Sequence, residues 1–109
     1  MKRVALDELT FATFSALLDA PFRVHLDQLN AVEFKLVAAT PQYAAAKADT
    51  RPQSFSLVFL GPADRLLPQR IYSFEQDQVG SFDLFIVPIG KDPQGFRYEA
   101  VFNRVSRPG

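Results

Sequence analysis

His25 is the only histidine of the chain, so a histidine-based metal site or catalytic triad would have to be assembled around it alone. It stands in Phe22-Arg23-Val24-His25-Leu26-Asp27, on the polar side of the alternation with Arg23 and Asp27. That position predicts a solvent-facing spacer. No second ligand stands at diagnostic spacing from it, and zinc sites draw on several His or Cys side chains. Three carboxylates, Glu75, Asp83 and Glu99, fall in three consecutive alternating segments. They would do acid and base chemistry only if one face gathered them in environments that drive their pKa values apart. The simpler expectation is separate solvation, with Arg70, Arg97 or Arg104 as partners. Asp83, set among Phe82, Leu84 and Phe85, needs an arginine if it is buried.

The five glycines do not assemble into a phosphate-binding loop, because Gly90 to Gly95 leads into a strand rather than a helix N-terminus. The absence of cysteine excludes disulfides, thiolate metal sites and thiol nucleophiles together. Tyr72, Phe74, Phe82, Tyr98 and Phe102 would form a stacking platform for single-stranded nucleic acid only beside a basic groove. With twelve basic residues balancing twelve acidic ones, no field favours a polyanion, and these rings are expected in the core. No catalytic residue, cofactor-binding residue or metal ligand is therefore assigned, and no cofactor is expected.

The elements that would position these residues are short strands. Phe22 to Asp27, Val32 to Leu36, Phe55 to Phe59 and Phe96 to Phe102 alternate apolar and polar residues with a period of two. Strands are predicted over 22–27, 31–38, 55–60, from Ile71 to Phe74, over 82–89 and over 96–105. Asp27, Gln28 and Asn30 make the first turn, since Asp and Asn bond their own backbone there. Gly80 marks a hairpin and is expected at positive φ, with Phe74 facing Phe82 and Tyr72 facing Leu84 across it. Gly90, Pro93 and Gly95 mark the next hairpin. Leu84-Phe85-Ile86-Val87 is apolar on both faces, which predicts a central strand covered on both sides. Ala63 to Gln69 reads as a loop anchored by Leu66, Leu67 and Pro68, and Thr40 to Ser54 as the longest surface connection.

One helix is predicted over residues 9–19, with Phe11, Phe14, Leu17 and Leu18 on its apolar face, Thr10 as its cap, Leu9 stapled on Phe14 and Pro21 ending it. It should plug one end of the sheet. The fold expected is mainly β, a six-stranded antiparallel curled sheet, partly closed into a barrel or folded into a small sandwich, with one N-terminal helix. At 109 residues the chain is read as a single domain, burying roughly two-thirds of its unfolded surface. The eleven phenylalanines can be buried whole, because the ring carries no polar atom.

Lys2 and Arg3 before Val4-Ala5-Leu6 resemble the start of a secretory signal, but Asp7 and Glu8 interrupt it. Leu84 to Ile89, the longest apolar stretch, falls far short of the ~20 residues of a membrane helix. No membrane partner and a cytoplasmic location are expected.

Phe55-Ser56-Leu57-Val58-Phe59-Leu60-Gly61-Pro62, then Leu67-Pro68-Gln69 and Tyr72, then Phe85-Ile86-Val87-Pro88-Ile89-Gly90 and Tyr98-Glu99-Ala100-Val101-Phe102-Asn103 resemble a family of small uncharacterised bacterial proteins, a domain of unknown function. The likeness covers most of the chain. It implies a shared fold, no activity or catalytic residues to transfer, and gene neighbourhoods of phage-tail-like proteins. The function expected is thus a non-enzymatic interaction or structural module, an accessory part of a phage-tail-like or other multi-protein assembly. The alternative is a carrier that holds a small ligand inside a β-barrel. The partner expected is another protein, contacted through the 40–54 connection with Tyr43 and Arg51 as anchors and through an exposed sheet edge.

Overall fold

The computed structural model describes residues 2–42 and 54–103. Six strands, β1 (Pro21–His25), β2 (Ala31–Gln42), β3 (Ser54–Gly61), β4 (Arg70–Gln76), β5 (Gly80–Asp92) and β6 (Gly95–Phe102), close into an antiparallel barrel in the order β1-β2-β3-β6-β5-β4. The barrel is thus two three-stranded meanders joined along β3–β6 and β4–β1. One helix, α1 (Phe11–Ser15), precedes them, itself preceded by a single tight turn at Leu6–Glu8.

Period-two alternation becomes an inside and an outside. Phe22 and Val24 of β1, Phe34 and Leu36 of β2, Phe55, Leu57 and Phe59 of β3, Tyr72 and Phe74 of β4, Phe82, Leu84 and Ile86 of β5, and Tyr98, Ala100 and Phe102 of β6 are buried in one core. Phe74 faces Phe82 and Tyr72 faces Leu84 in the β4–β5 register, as the alternation predicts. The Phe74 ring also meets Phe22, Phe34 and Phe59, with centroids 5.2 to 6.5 Å away, mostly edge-on or tilted. Such ring pairs add to area burial because ring edge and ring face carry opposite partial charge.

Both ends are stoppered. Phe14 of α1 lies against Phe55, Phe82 and Phe102 at one end. At the other, the 62–69 connection from β3 to β4 crosses over. Its Leu67 is buried, and the Leu67 N–H donates to the Tyr98 hydroxyl at 2.8 Å while the Tyr72 hydroxyl donates to the Pro68 carbonyl at 2.7 Å. Burial pushes the Tyr98 hydroxyl above its ordinary pKa, so it stays protonated. Leu66, expected as a second anchor, is exposed instead.

Several expected boundaries move. The helix stops at Ser15 rather than at Asp19. Thr10 caps it as expected, accepting from the Thr13 N–H at 3.2 Å. Beyond it the chain bonds to β2 on its way into β1. Asp19, at φ 68, donates its N–H to the Leu36 carbonyl, and the Ala20 carbonyl accepts from the Leu36 N–H. These bonds to a neighbouring strand replace the helical ladder before Pro21 can interrupt it, and they leave Leu18 exposed. Strand β2 runs four residues past the predicted Ala38 because Ala39 to Gln42 align with Leu57 to Ser54. Strand β5 is not a central strand covered on both sides. A closed barrel has one inner face per strand, and Phe85 stands outside at 49% exposure.

Candidate functional site

Among the described residues, the charged side chains that pair with one another lie on the outside of the barrel. Along β1–β4 the register sets Arg23 opposite Glu75 and His25 opposite Ser73. Glu75 accepts from Arg23 Nη1 at 3.0 Å and lies 2.9 Å from His25 Nε2. His25 is therefore half-exposed but engaged, rather than the free spacer that its place in β1 suggested. The hydrogen bond to His25, followed by that to Arg23, holds the Glu75 carboxyl below its ordinary value. This cluster borders an open cavity of about 300 Å³ whose wall includes Pro21, Glu33, Gln76 and Asp77.

The other two carboxylates have different surroundings. Asp83 pairs with Arg3 at 2.6 Å, both about half-exposed, so it is not buried. Glu99 aligns with Val58 on one side and Val87 on the other. Glu75 takes its partners, Arg23 and His25, from β1 and Asp83 takes Arg3 from the N-terminal segment, not the arginines expected. Arg97 bonds Asp92 at 2.6 Å, and Arg70 lies 4.7 Å over the Tyr72 ring. The three carboxylates are thus partnered or placed separately, and among the described residues no group of three His, Cys, Asp or Glu could hold a metal ion. The rings considered for nucleic-acid stacking, Tyr72, Phe74, Phe82, Tyr98 and Phe102, are all buried.

Asp27 closes the β1–β2 turn as expected. Its Oδ1 accepts from the Leu29 and Asn30 N–H groups at 2.8 Å; the bond from the Asn30 side chain, followed by these two, lowers its pKa. Tyr43 and Arg51, the expected partner contacts, lie outside the described residues, as does Arg104.

Sequence reading missed two surface features. The first is an apolar pair on the outer face. Ile71 and Phe85 are direct cross-strand partners in β4–β5, exposed at 62% and 49%. The signal is the unbroken apolar run Leu84 to Val87, which taken alone reads as burial on both faces. The second is the N-terminal segment as a structural element. Lys2 to Val4 lie alongside β5 in a parallel bridge, Arg3 to Ser81. The Ser81 N–H donates to the Lys2 carbonyl at 2.7 Å and the Val4 N–H to the Ser81 carbonyl at 2.8 Å. No periodicity in three residues could have announced it.

A family profile described as a domain of unknown function, DUF6916, matches residues 9–102. The chain belongs to that family. The match begins after the Lys2–Val4 segment and ends with β6, so it spans the barrel and α1. No curated protein and no solved structure matches the chain. No helix among the described residues is long and apolar enough to cross a membrane.

Proposed function

We propose that this DUF6916 domain is a non-enzymatic protein-interaction module that serves as an accessory part of a multi-protein assembly. The observation that carries the reading is the Ile71–Phe85 pair, two large apolar side chains set side by side on the outside of a barrel whose inside is already full. Single exposed apolar residues are ordinary on a soluble surface. An aligned aliphatic–aromatic pair on a rigid sheet is the kind of anchor around which interface energy concentrates. The rings at the centre of the barrel, Phe22, Phe34, Phe59, Phe74 and Tyr98, occupy the space a carrier would need for its ligand, which favours the interaction reading over the carrier.

The test is capture of partners from the source organism with the parent protein and with an Ile71→Ser/Phe85→Asp variant. The variant is expected to keep its fold, since surface substitutions away from special features usually change stability by only about 0.5 kcal/mol, and to lose the specific partner. Equal capture by both proteins would remove the outer face from the interface. Saturable binding of a metabolite with a rise in melting temperature would replace the reading with the carrier.

A further inference from the structure

Strand β5 changes partner along its length. Gly80 to Ile86 align with β4, whereas the β5–β6 register starts only at Val87↔Glu99 and runs to Asp92↔Gly95. On the edge of β5 turned away from β4, the first half of the strand therefore has no ladder with β6. Among the described residues, what lies there is the arm Lys2–Val4, in an isolated bridge at Ser81. Backbone bonding groups on a strand point to alternate edges. Ser81 bonds toward the arm, so Asp83 and Phe85 present their N–H and C=O groups to the same edge. The arm does not follow them. After Val4 it turns off into the Leu6–Glu8 turn, leaving an open cavity of about 570 Å³ bounded by Arg3, Val4, Ala5, Leu6, Glu8 and Asp83.

The arm itself shows what this edge takes. Val4 is turned inward and buried, next in line to Arg3, whose guanidinium reaches along the outer face to Asp83. Position 80 is shaped to the arm: a Cβ on Gly80 would collide with the Lys2 carbonyl and approach Val4 Cγ2 to 2.9 Å. Yet the hold is slight. Among the described residues it consists of two backbone hydrogen bonds, one buried valine and an ion pair whose side chains are 59% and 50% exposed, a type of pair that contributes little. The arm also lies outside the residues that the family profile matches.

We propose that Lys2–Val4 is a displaceable occupant of a strand-accepting edge on β5, and that the partner is an extended protein segment running parallel to β5 with a basic residue set to reach Asp83, followed by an apolar residue turned into the barrel. The proposal rests on the interaction reading and names the contact. Backbone bonds to Ser81, Asp83 and Phe85 supply affinity, and Asp83 and the Val4 site supply selectivity. A partner strand that continues past Ser81 gains edge bonds the arm does not make, which is the differential affinity that displacement requires. It would also run beside Phe85, joining this edge to the outer apolar pair.

The experiment uses a fluorescent peptide with the sequence of residues 2–9 and a scrambled control, measured by anisotropy against the full chain. In an Arg3→Glu/Val4→Asp variant the arm is weakened in place. Its binding of the peptide is expected to be tighter than that of the parent by about tenfold or more, because the parent's edge is mostly occupied, and adding Asp83→Lys should abolish it. A folded variant that binds the peptide no better than the parent, or no better than the scrambled control, overturns the proposal. Amide exchange in the parent gives a second reading that needs no variant. Ser81 and Val4 N–H groups should exchange about a hundredfold faster than those of Phe74 and Phe82 if the arm opens by itself; equal protection makes the arm a fixed part of the barrel and overturns displacement. If the peptide fails to bind while the Phe85 variant still loses its partner, the strand-accepting edge falls and the interaction reading stands.

Discussion

Two seams of this barrel are built from different materials. Along β3–β6 the register is continuous from Phe55↔Phe102 to Gly61↔Phe96, and alternate residues send Phe55, Leu57, Phe59, Tyr98, Ala100 and Phe102 into the core. Stacked rings, Phe55 on Phe102 at 4.5 Å and Phe34 on Tyr98 at 4.9 Å, lie directly beneath it. Opening that seam would expose several rings at once. Along the first half of β5, by contrast, closure among the described residues rests on three residues of the N-terminal arm, one of them the buried Val4. A barrel this small needs most of its apolar area to remain folded, so one seam is closed by the core and the other is left to a segment whose loss exposes little. The difference locates where the fold resides and where it has freedom to exchange partners.

The largest expected effect tests the core side of that comparison. Phe74→Ala removes the ring shared by Phe22, Phe34, Phe59 and Phe82, and should cost about 3 to 5 kcal/mol as buried Phe truncations do. Denaturant titration measures it, and a loss under about 1 kcal/mol, below the usual range for such truncations, would show that the centre repacks freely. Gly80→Val addresses the arm seam. Gly80 is at φ 122 and leaves no room for a Cβ beside the Lys2 carbonyl, so the substitution combines backbone strain of about 1 to 3 kcal/mol with eviction of the arm. In a variant whose arm is already weakened by Arg3→Glu/Val4→Asp the cost should fall, because only the backbone strain is left; an undiminished cost would mean that the arm and Gly80 are not coupled.

The smallest effect belongs to the β1–β4 seam, where Glu75 gathers Arg23 and His25. Because the folded-state pKa of Glu75 lies below its ordinary value of 4.5, the contribution of its charge is present above that value and is lost as pH falls through the folded-state pKa. The stability difference between parent and Glu75→Gln should therefore be small at neutral pH and vanish in acid. A difference that persists once the pH has fallen well below the folded-state pKa, where the carboxyl is protonated, would assign the effect to packing rather than charge.

What the sequence determined by itself is local and periodic. Alternation marked the inner residues of the strands outside the apolar run Leu84 to Val87, so the pairing of Phe74 with Phe82 and the mainly β, six-stranded antiparallel fold were legible. Single residues with strong backbone preferences were legible too: Thr10 at the helix cap, Asp27 in its turn and Gly80 at positive φ. What only the tertiary structure decided depends on partners far apart in the chain. Closure in the order β1-β2-β3-β6-β5-β4, the shortening of α1 by bonds from Asp19 and Ala20 to Leu36, the lengthening of β2 along β3 and the union of His25 with Glu75 each join segments that no local pattern relates. The exposure of Phe85 and the place of Arg3 beside Asp83 follow from the same cause. Hydrophobicity states that a side chain favours burial, but whether a neighbour arrives to cover it is settled only when distant strands have taken their registers.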